Sequence, residues 1–317
     1  MPIPDRPTYD QFAAVAGAIS PGSSVISTRK LRGGLGCRMD VVEFAKPGDT
    51  PQQVVTRLYW EHTDPNRASP NRREAEVLQL LEKNGVPAPT LVLDPVITSD
   101  IFGKNAIALN YLDGGPGLKP SDPHDWAGQL ATALARVHNI TVPESLLDLK
   151  SDHSHYIQTW CDADEPPEKF TKHPLGVELW QAMRYLWPHV DKSAKQLIHT
   201  DFWPGNTMWN GEELIAIVDW EWPFIGEPTQ DVAYFLVDAQ YFGMEVEQAF
   251  LEVYQRESKH TVKDLDFWKM TAVSMPMPDP GHWAQGYAEL GIRTYTADDI
   301  RAAHTRVIKD LLARTNA

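Results

Sequence analysis

Cysteine is nearly absent from the sequence: Cys37 and Cys161 are the only two among 317 residues. Two distant thiols provide neither a disulfide framework nor a C-x-x-C metal motif, and such usage is typical of a reducing compartment. Apolar runs are also short, and none approaches the ~18–20 residues needed to span a bilayer. The first nine residues contain three prolines and lack the apolar core of a signal peptide. The sequence therefore predicts a cytoplasmic protein with no membrane partner.

Positive charge is scarce as well, since 29 Lys and Arg residues stand against 43 Asp and Glu residues and the formal net charge is −14. This excess of acid argues against nucleic acid or an anionic membrane surface as a partner, and it permits a cationic small molecule. The apolar content of 42% is that of a globular protein. Because single cores rarely exceed ~250–300 residues, the length of the chain predicts two domains.

The most informative stretch is residues 199–206, which has the pattern H-x-D-x-x-x-x-N. Asn210-Gly211 follows and favours a hairpin turn. The next apolar run, residues 214–218, has the composition of a strand and ends at Asp219. Two loops therefore supply three side chains that carry oxygen atoms.

Phosphoryl transfer from ATP requires such a set of side chains. A carboxylate must orient the attacking hydroxyl and accept its proton, which is the role expected of Asp201. An amide and a second carboxylate must hold Mg²⁺ on the phosphates, and these roles suit Asn206 and Asp219. The alternative, that all three side chains only cap turns, is less favoured by their combined spacing.

The residues after Asp219 distinguish the sequence from protein kinases, in which Phe-Gly follows the corresponding Asp. Here Trp220-Glu221 follows, and Gly226-Glu227-Pro228 and Asp231-Val232-Ala233 come later. With these segments the sequence resembles the aminoglycoside phosphotransferase and choline kinase superfamily, which consists of small-molecule kinases with a protein-kinase-like fold. The resemblance implies a two-lobed α+β fold, with a small antiparallel-sheet N-lobe and a larger, mainly helical C-lobe.

The same resemblance divides the chain into an N-terminal nucleotide-binding lobe over residues 1–110, a hinge over 111–117, and a C-terminal catalytic and acceptor-binding lobe over 118–317. Residues 91–98 and 105–112 have the composition of strands, and the second run leads into a Gly/Pro-rich stretch that suits a linker. In the resembling family the hinge backbone binds adenine, which implies a nucleotide-binding role for Asn110 and Leu112.

A glycine-rich segment, residues 32–36, lies between two strand-like runs near the N-terminus. Backbone N–H groups of Gly33, Gly34 and Gly36 can approach phosphates closely because no Cβ intervenes. A plain hairpin turn is about equally compatible with these residues. The position of the segment ahead of the other nucleotide-binding candidates favours the phosphate-binding interpretation.

Arg57 lies on the next predicted strand, where the resemblance implies a base that contacts the α- and β-phosphates. Protein kinases have Lys at this point, but the guanidinium of Arg also binds phosphate or carboxylate bidentately. Glu74, on a predicted helix over residues 68–84, is then the carboxylate that pairs with Arg57. The alternatives are a solvated strand arginine and a surface carboxylate near a helix N-terminus.

Three further features of the C-terminal lobe carry expectations. Asp231 is expected to brace the loops rather than bind metal, and His138 is expected to be a core or cap histidine. Residues 141–173 are acidic and contain aromatic side chains, and we expect an irregular segment that contributes to the acceptor pocket.

Together these features predict an ATP- and Mg²⁺-dependent phosphotransferase that acts on a hydroxyl of a small molecule, either aminoglycoside-like or another amino or hydroxy metabolite. The nucleotide is expected to lie between the two lobes. Two alternatives remain open: a catalytically weak kinase-like nucleotide-binding module, and a protein kinase, which the missing Phe-Gly and Ala-Pro-Glu segments disfavour. The sequence makes no prediction of oligomeric state.

Overall fold

The computed structural model describes residues 5–31, 37–59, 69–147, 152–291 and 295–315, without the side chains of residues 152–155 and 289. It divides into two compact units. The first comprises Met1–Gly115 together with Ile215–Glu221, and the second comprises Pro116–Leu214 together with Trp222–Ala317. The first unit therefore takes up a short segment that lies far along the chain.

The first unit is built on a four-stranded antiparallel sheet with the order β1-β2-β3-β4. Its strands are β1 (Ser24–Lys30), β2 (Cys37–Ala45), β3 (Gln52–Tyr59) and β4 (Ala106–Asn110), and its helices are α1 (Tyr9–Ile19), α2 (Pro70–Lys83) and α3 (Pro95–Phe102). Strand β3 contains the β-branched run Val54-Val55-Thr56, and every residue from 54 to 59 is buried. Such side chains suit a central, covered strand.

Helices α1 and α3 pack against the sheet through an apolar cluster that includes Phe12, Phe44 and Phe102. Helix α1 begins at a capping box, in which Thr8 and Gln11 bond each other's backbone N–H groups. Helix α2 places Val77, Leu78 and Leu81 in the interior. Glu74, one turn before Val77 and Leu78, is also buried.

The strand predicted over residues 91–98 is wrong. Leu91 makes only an isolated bridge to Leu109, and helix α3 begins at Pro95. The Asp94 side chain accepts a hydrogen bond from the Val96 N–H, and Pro95 occupies the first helical turn. Both are helix-start signals, and they outweigh the short apolar run. Gly103 ends the helix in the left-handed conformation, with φ of 66°.

The second unit is mainly helical. Its helices are α4 (Pro123–His138), α5 (Asp152–Asp162), α6 (Glu168–Thr171), α7 (Gly176–Leu186), α8 (Thr229–Tyr241), α9 (Glu247–Glu257), α10 (Leu265–Ser274), α11 (Ala284–Glu289) and α12 (Ala297–Thr315). The short strands of the rest of the chain are β5 (Gly115–Pro116), β6 (Gln196–Ile198), β7 (Thr207–Asn210), β8 (Glu213–Ile217) and β9 (Phe224–Gly226). A small-sheet unit and a larger helical unit thus confirm the predicted α+β class.

The core of the second unit lies among α7, α8, α10 and α12, with buried side chains such as Leu179, Val237, Met270 and Ile308. The expectation of an irregular segment over residues 141–173 is wrong. Helices α5 and α6 occupy much of it and bury Trp160 and Phe170 in this core. Among the described residues, no helix has both the length and the apolar character required to cross a membrane.

Candidate active site

The loop after β6 is held by one buried carboxylate, Asp231 of α8. Asp231 Oδ2 accepts a hydrogen bond from the His199 N–H at 2.7 Å, and Oδ1 accepts one from the Thr200 N–H at 2.8 Å. Thr200 has φ of 71°, which is uncommon for a β-branched residue. Its hydroxyl donates to the Trp222 carbonyl oxygen at 2.8 Å. Asp231 therefore braces a strained turn directly before Asp201.

His138 extends this brace into the core. Its Nε2 lies 3.1 Å from Asp231 Oδ2, and its Nδ1 lies 2.6 Å from the Tyr254 hydroxyl oxygen. A carboxylate can only accept, so Nε2 carries the hydrogen and Nδ1 accepts from Tyr254. Both His138 and Asp231 are fully buried. His138 is thus a core histidine that fixes the orientation of Asp231.

Asp201 itself is exposed and is held from one side by Asn206. The Asn206 Nδ2 group donates to the Asp201 carbonyl oxygen and to Asp201 Oδ2, both at 2.9 Å. Because both amide hydrogens are used in this way, the amide orientation is fixed and Oδ1 is the atom that can bind a cation. His199 Nδ1 accepts from the Asp201 N–H at 3.3 Å. The loop thus presents a carboxylate and an amide oxygen from a single turn.

Gly205 is required by the packing of this loop. A Cβ at position 205 would lie 2.1 Å from the indole ring of Trp203. Trp203 is half-buried and contacts the Tyr287 ring, with 5.7 Å between ring centroids. Any larger side chain at position 205 would therefore displace Trp203 from the turn that carries Asp201.

Replacing Asp231 with Asn is expected to loosen the loop. The His199 and Thr200 N–H groups each donate to a different carboxylate oxygen of Asp231, and the Asn side chain has only one oxygen that can accept. The unpaired group lies in the interior, so we expect a loss of about 2–4 kcal/mol in the free energy of unfolding. Hydrogen exchange measured by mass spectrometry should show faster exchange of the amides at 199 and 200. Glu252→Gln, at an exposed carboxylate of α9, serves as control; equal protection of the loop in wild type and Asp231→Asn would contradict the role.

In the first unit, Arg57 connects three carboxylates. Its Nη1 donates to Glu74 Oε1 at 3.0 Å, and its Nη2 lies 2.6 Å from Asp219 Oδ1 and 2.9 Å from Glu221 Oε2. Arg57 is only 4% exposed, so it is not the solvated strand arginine of the alternative interpretation. Its Nε is buried and has no hydrogen-bond partner among the described residues. The guanidinium therefore retains one donor that no described residue satisfies.

Glu221 was not assigned a role from the sequence. It follows Asp219 at a spacing of two, with the fully buried Trp220 between them. A second acidic residue two positions after Asp219 is the signal that could have identified Glu221. Asp219 has φ of 68°, so the chain turns sharply at that point. The Ile217 N–H donates to the Pro87 carbonyl oxygen at 2.8 Å and anchors the segment to the unit.

Burial dominates the electrostatics around Arg57. It raises the pKa of Glu74 to about 7, although the charge of Arg57 and a hydrogen bond from Tyr59 oppose the shift. The Tyr59 hydroxyl donates to Glu74 Oε2 at 2.5 Å. Burial also raises the pKa of Glu221; the charge and hydrogen bond of Arg57 oppose this shift, and the charge of Asp219 adds to it. The charge of Arg57 therefore favours the ionised forms of Glu74 and Glu221.

The remaining predicted nucleotide-binding residues are placed as follows. Asn110 ends β4, where its side-chain oxygen accepts from the Thr90 N–H at 2.7 Å and its own N–H donates to the Thr90 carbonyl oxygen at 3.0 Å. The side-chain oxygen of Asn110 is therefore already used in a hydrogen bond within the fold. Leu112 is half-buried just beyond the strand. Gly33, Gly34 and Gly36 lie outside the described residues, and a role in adenine or phosphate binding stays a prediction for all five.

The donor types at the predicted metal ligands fit Mg²⁺. Asn206 Oδ1 and the Asp219 carboxylate are hard oxygen donors, and the Asp219 side chain is 37% exposed. Within the described ranges, no group of three or more His, Cys, Asp or Glu side chains is arranged to hold a metal ion. Mg²⁺ in phosphotransferases is commonly held by one or two protein oxygens together with the substrate phosphates.

Comparison with curated proteins gives relatives that the chain matches over about half of its length. A segment of mouse acyl-CoA dehydrogenase family member 10 is 30% identical over 175 residues, which cover 51% of this chain and 16% of that protein. The 4-hydroxytryptamine kinase of Psilocybe cyanescens is 27% identical over 191 residues, which cover 54% of this chain and 53% of that enzyme. The matches thus span at most about half of these relatives.

Among solved structures, the fold matches a spectinomycin phosphotransferase in complex with ADP and spectinomycin, with a TM-score of 0.57, 15% identity and coverage of 92% of this chain and 94% of that one. It also matches the choline kinase of Streptococcus pneumoniae, with a TM-score of 0.56, 16% identity and coverage of 91% and 94%. The predicted kinase-like fold and the resemblance to these enzymes are confirmed.

The family model described as the phosphotransferase enzyme family matches residues 48–270, which is more than half of the chain. The matched range includes Arg57, Glu74, Asp201, Asn206 and Asp219. The chain therefore belongs to the phosphotransferase enzyme family.

Proposed function

We propose that the protein transfers the γ-phosphoryl group of ATP to a hydroxyl of a small molecule. The observation that carries the proposal is the exposed Asp201 carboxylate, which Asn206 holds at 2.9 Å on a loop braced by Asp231. Such preorganisation is what phosphoryl transfer needs, because the protein contributes positioning and charge rather than covalent chemistry.

In this mechanism Asp201 orients the acceptor hydroxyl and receives its proton as the new O–P bond forms and the bond to the departing ADP oxygen breaks. The transition state is loose, so the proton moves late and the alcohol needs little activation. Asn206 and Asp219 are the proposed metal ligands. When bound, Mg²⁺ neutralises charge on the phosphate oxygens.

Arg57 is proposed to contact the α- and β-phosphates, with Glu74 as its brace. The buried Nε supports this role, since no described residue accepts its hydrogen and an unsatisfied buried donor is costly unless another group, such as a ligand, satisfies it. Nη2 already serves Asp219 and Glu221. A phosphate that reaches Nη2 must therefore replace one of these carboxylates, which couples nucleotide binding to the position of Asp219.

The acceptor is proposed to be a small hydroxyl compound. One sequence relative is named for 4-hydroxytryptamine, and two structural neighbours are named for spectinomycin and choline. These acceptors differ in size and share a hydroxyl together with an amine. The net charge of −14 is compatible with an amine-bearing acceptor.

A coupled assay of ADP release over a panel of hydroxylated compounds tests this function. The panel comprises aminoglycosides, macrolides, choline-like amines, hydroxyindole amines, sugars and amino alcohols, with casein as a generic protein substrate. We expect Mg²⁺-dependent ADP release with at least one small alcohol and none with casein. Phosphorylation of casein alone would identify a protein kinase. Nucleotide binding without transfer to any compound would indicate a binding module.

A further inference from the structure

Tyr59 is a buried residue at the end of β3 that the mechanism above does not use. It follows Arg57 by two positions on the same strand, so the two side chains project from one face of the sheet. The Tyr59 ring lies against the guanidinium, with 5.4 Å between Arg57 Cζ and the ring centroid. The Tyr59 hydroxyl donates to Glu74 Oε2 at 2.5 Å. One side chain therefore contacts both members of the Arg57–Glu74 ion pair.

The sheet fixes the position of the Tyr59 ring. The Tyr59 N–H donates to the Asn105 carbonyl oxygen at 2.9 Å, and the register of β2 and β3 sets Tyr59 opposite Cys37. The residue is 1% exposed. Burial, followed by the charge of Glu74, raises the pKa of the Tyr59 hydroxyl well above its usual range. The hydroxyl therefore stays protonated at neutral pH and acts as a donor to Glu74.

The ion pair between Arg57 and Glu74 makes one hydrogen bond where two are common. A guanidinium and a carboxylate frequently form two parallel N–H···O bonds, which use both carboxylate oxygens. Here Glu74 Oε1 accepts from Arg57 Nη1 at 3.0 Å. Glu74 Oε2, the oxygen that a second bond would need, accepts from Tyr59 instead. The Tyr59 hydroxyl thus keeps the pair on a single guanidinium nitrogen.

The nitrogen that this arrangement spares is Arg57 Nη2. A guanidinium has two donor edges, and Nη2 belongs to both: it lies beside Nη1 on one edge and beside Nε on the other. With Nη1 already bound to Glu74, a second bond from this carboxylate would take Nη2. In the structure Nη2 instead contacts Asp219 and Glu221, and no described residue accepts the hydrogen of Nε. The Nε–Nη2 edge is therefore kept from Glu74.

We infer that Tyr59 is a positioning residue for nucleotide binding: by holding Glu74 Oε2, it confines Glu74 to Arg57 Nη1 and leaves the Nε–Nη2 edge for the oxygens of the α- and β-phosphates. This inference rests on the proposed phosphotransferase function, in which Arg57 contacts these phosphates. It deepens that function by explaining how arginine serves where protein kinases have lysine. A lysine has a single nitrogen, whereas an arginine can be captured on two by its own carboxylate partner.

The first test is a calorimetric titration with Mg·ADP, which carries the α- and β-phosphates and is not turned over. Tyr59→Phe is expected to weaken binding about 10-fold, because Glu74 can then turn both oxygens to Arg57 and occupy Nη2. The KM for ATP should rise by a similar factor, while kcat at saturating ATP stays within about twofold of wild type. Tyr9→Phe, which removes an exposed hydroxyl of α1, should change none of these quantities.

Glu74→Gln separates positioning from packing. A Gln side chain has one oxygen and cannot form two parallel bonds with a guanidinium. In this background Tyr59→Phe should therefore change the Kd for Mg·ADP by less than about twofold. An equal loss of affinity in both backgrounds would show that Tyr59 acts through packing alone, and it would overturn the inference. A Tyr59→Phe variant that binds Mg·ADP as tightly as wild type would overturn it as well.

A measurement on the wild-type protein does not depend on whether any variant folds. In protein with isotope-labelled arginine, the NMR resonances of Arg57 are assigned by their loss in Arg57→Lys. We expect Mg·ADP to shift the Nη2 and Nε resonances and to leave that of Nη1, which stays on Glu74, unmoved. A shift of Nη1 as large as that of Nη2, or no shift at any of the three nitrogens, overturns the inference.

Failure of the two proposals can be distinguished. Mg·ADP binding that responds to Tyr59→Phe only when Glu74 is present, with no transfer to any compound of the panel, supports the role of Tyr59 and contradicts the phosphotransferase function. ADP release with a small alcohol, at a KM for ATP that Tyr59→Phe does not change, supports the function and overturns the role of Tyr59. A wild-type protein that binds no Mg·ADP overturns both.

Discussion

Replacing Asp201 with Asn is expected to lower kcat by about 10²–10⁴-fold, the range that a positioned general base contributes. Asn has the same shape as Asp and retains an oxygen that can accept from Asn206 Nδ2, and the bond from Nδ2 to the carbonyl oxygen of residue 201 is unaffected. The loop should therefore keep its conformation. The variant loses only the negative charge and the ability to take up the acceptor proton.

The measurement pairs kcat for the best acceptor of the panel with a nucleotide titration in Mg²⁺. We expect the Kd for nucleotide to stay within about threefold of wild type, because Asp201 is not proposed to bind the metal or the phosphates. Asp164→Asn, at an exposed carboxylate of the same unit, should change neither quantity. Turnover of Asp201→Asn at the wild-type rate would reject Asp201 as the base. A loss of nucleotide affinity in this variant would instead assign Asp201 a role in nucleotide binding.

The part of the site that the sequence predicts best is the part in which partners are close along the chain. Asp201 and Asn206 are five residues apart, and their contact closes a single turn. A motif of this kind carries its geometry within its own spacing. The brace by Asp231 was also predicted, but only from the resemblance to the family. Its partners His199 and Thr200 are about thirty residues away in sequence, so no local pattern connects them.

Short apolar runs are the part of the fold that pattern reading assigns least well. Residues 91–98 contain enough apolar residues for either a strand or a helix, and periodicity over so few positions does not separate the two. The decisive signals were Asp94 and Pro95, which cap and begin α3. For residues 141–173, acidic side chains suggested a solvated segment, yet Trp160 and Phe170 are buried in the core.

Glu221 shows why the sequence missed one contact of Arg57. Glu221 meets Arg57 across 164 positions of sequence, and only the folded unit brings them together. Arg57 Nε is likewise buried without a partner among the described residues. Burial and missing partners are properties of packing, and no local pattern encodes them.

Replacing Arg57 with Ala is expected to have the largest effect on stability. The change leaves Glu74, Asp219 and Glu221 without the cation that holds them, and Glu74 is only 2% exposed. Removing one partner of a buried ion pair typically costs about 3–5 kcal/mol, because the remaining charge stays desolvated. Hydrogen exchange of amides in β3 and α2 reports the free energy of opening of the first unit. Arg72→Ala, at an exposed position of α2, should stay within about 0.5 kcal/mol of wild type.

The loss in Arg57→Ala should depend on pH, with a sign set by Glu74. In the wild type, burial raises the pKa of Glu74 from 4.5 to about 7, while the charge of Arg57 opposes this shift. A carboxyl group whose pKa is raised by folding binds more protons in the folded state, so its contribution to stability increases as the pH falls from about 7 towards 4.5. Without Arg57 the pKa of Glu74 rises further, and protonation removes the unpaired charge.

The difference in stability between wild type and Arg57→Ala should therefore be largest well above pH 7, should shrink as the pH falls towards the wild-type Glu74 pKa of about 7, and should stay level below it. Arg57→Lys should give an intermediate loss of stability at high pH. The ammonium group keeps the positive charge, but it has a single nitrogen and cannot donate to Glu74 and Asp219 from two separate nitrogens as the guanidinium does. In the double variant Arg57→Ala/Glu74→Gln, most of the pH dependence should vanish, since the titrating group is gone. A deficit that is small at every pH, or that grows as the pH falls, would show that Arg57 does not hold these carboxylates in place.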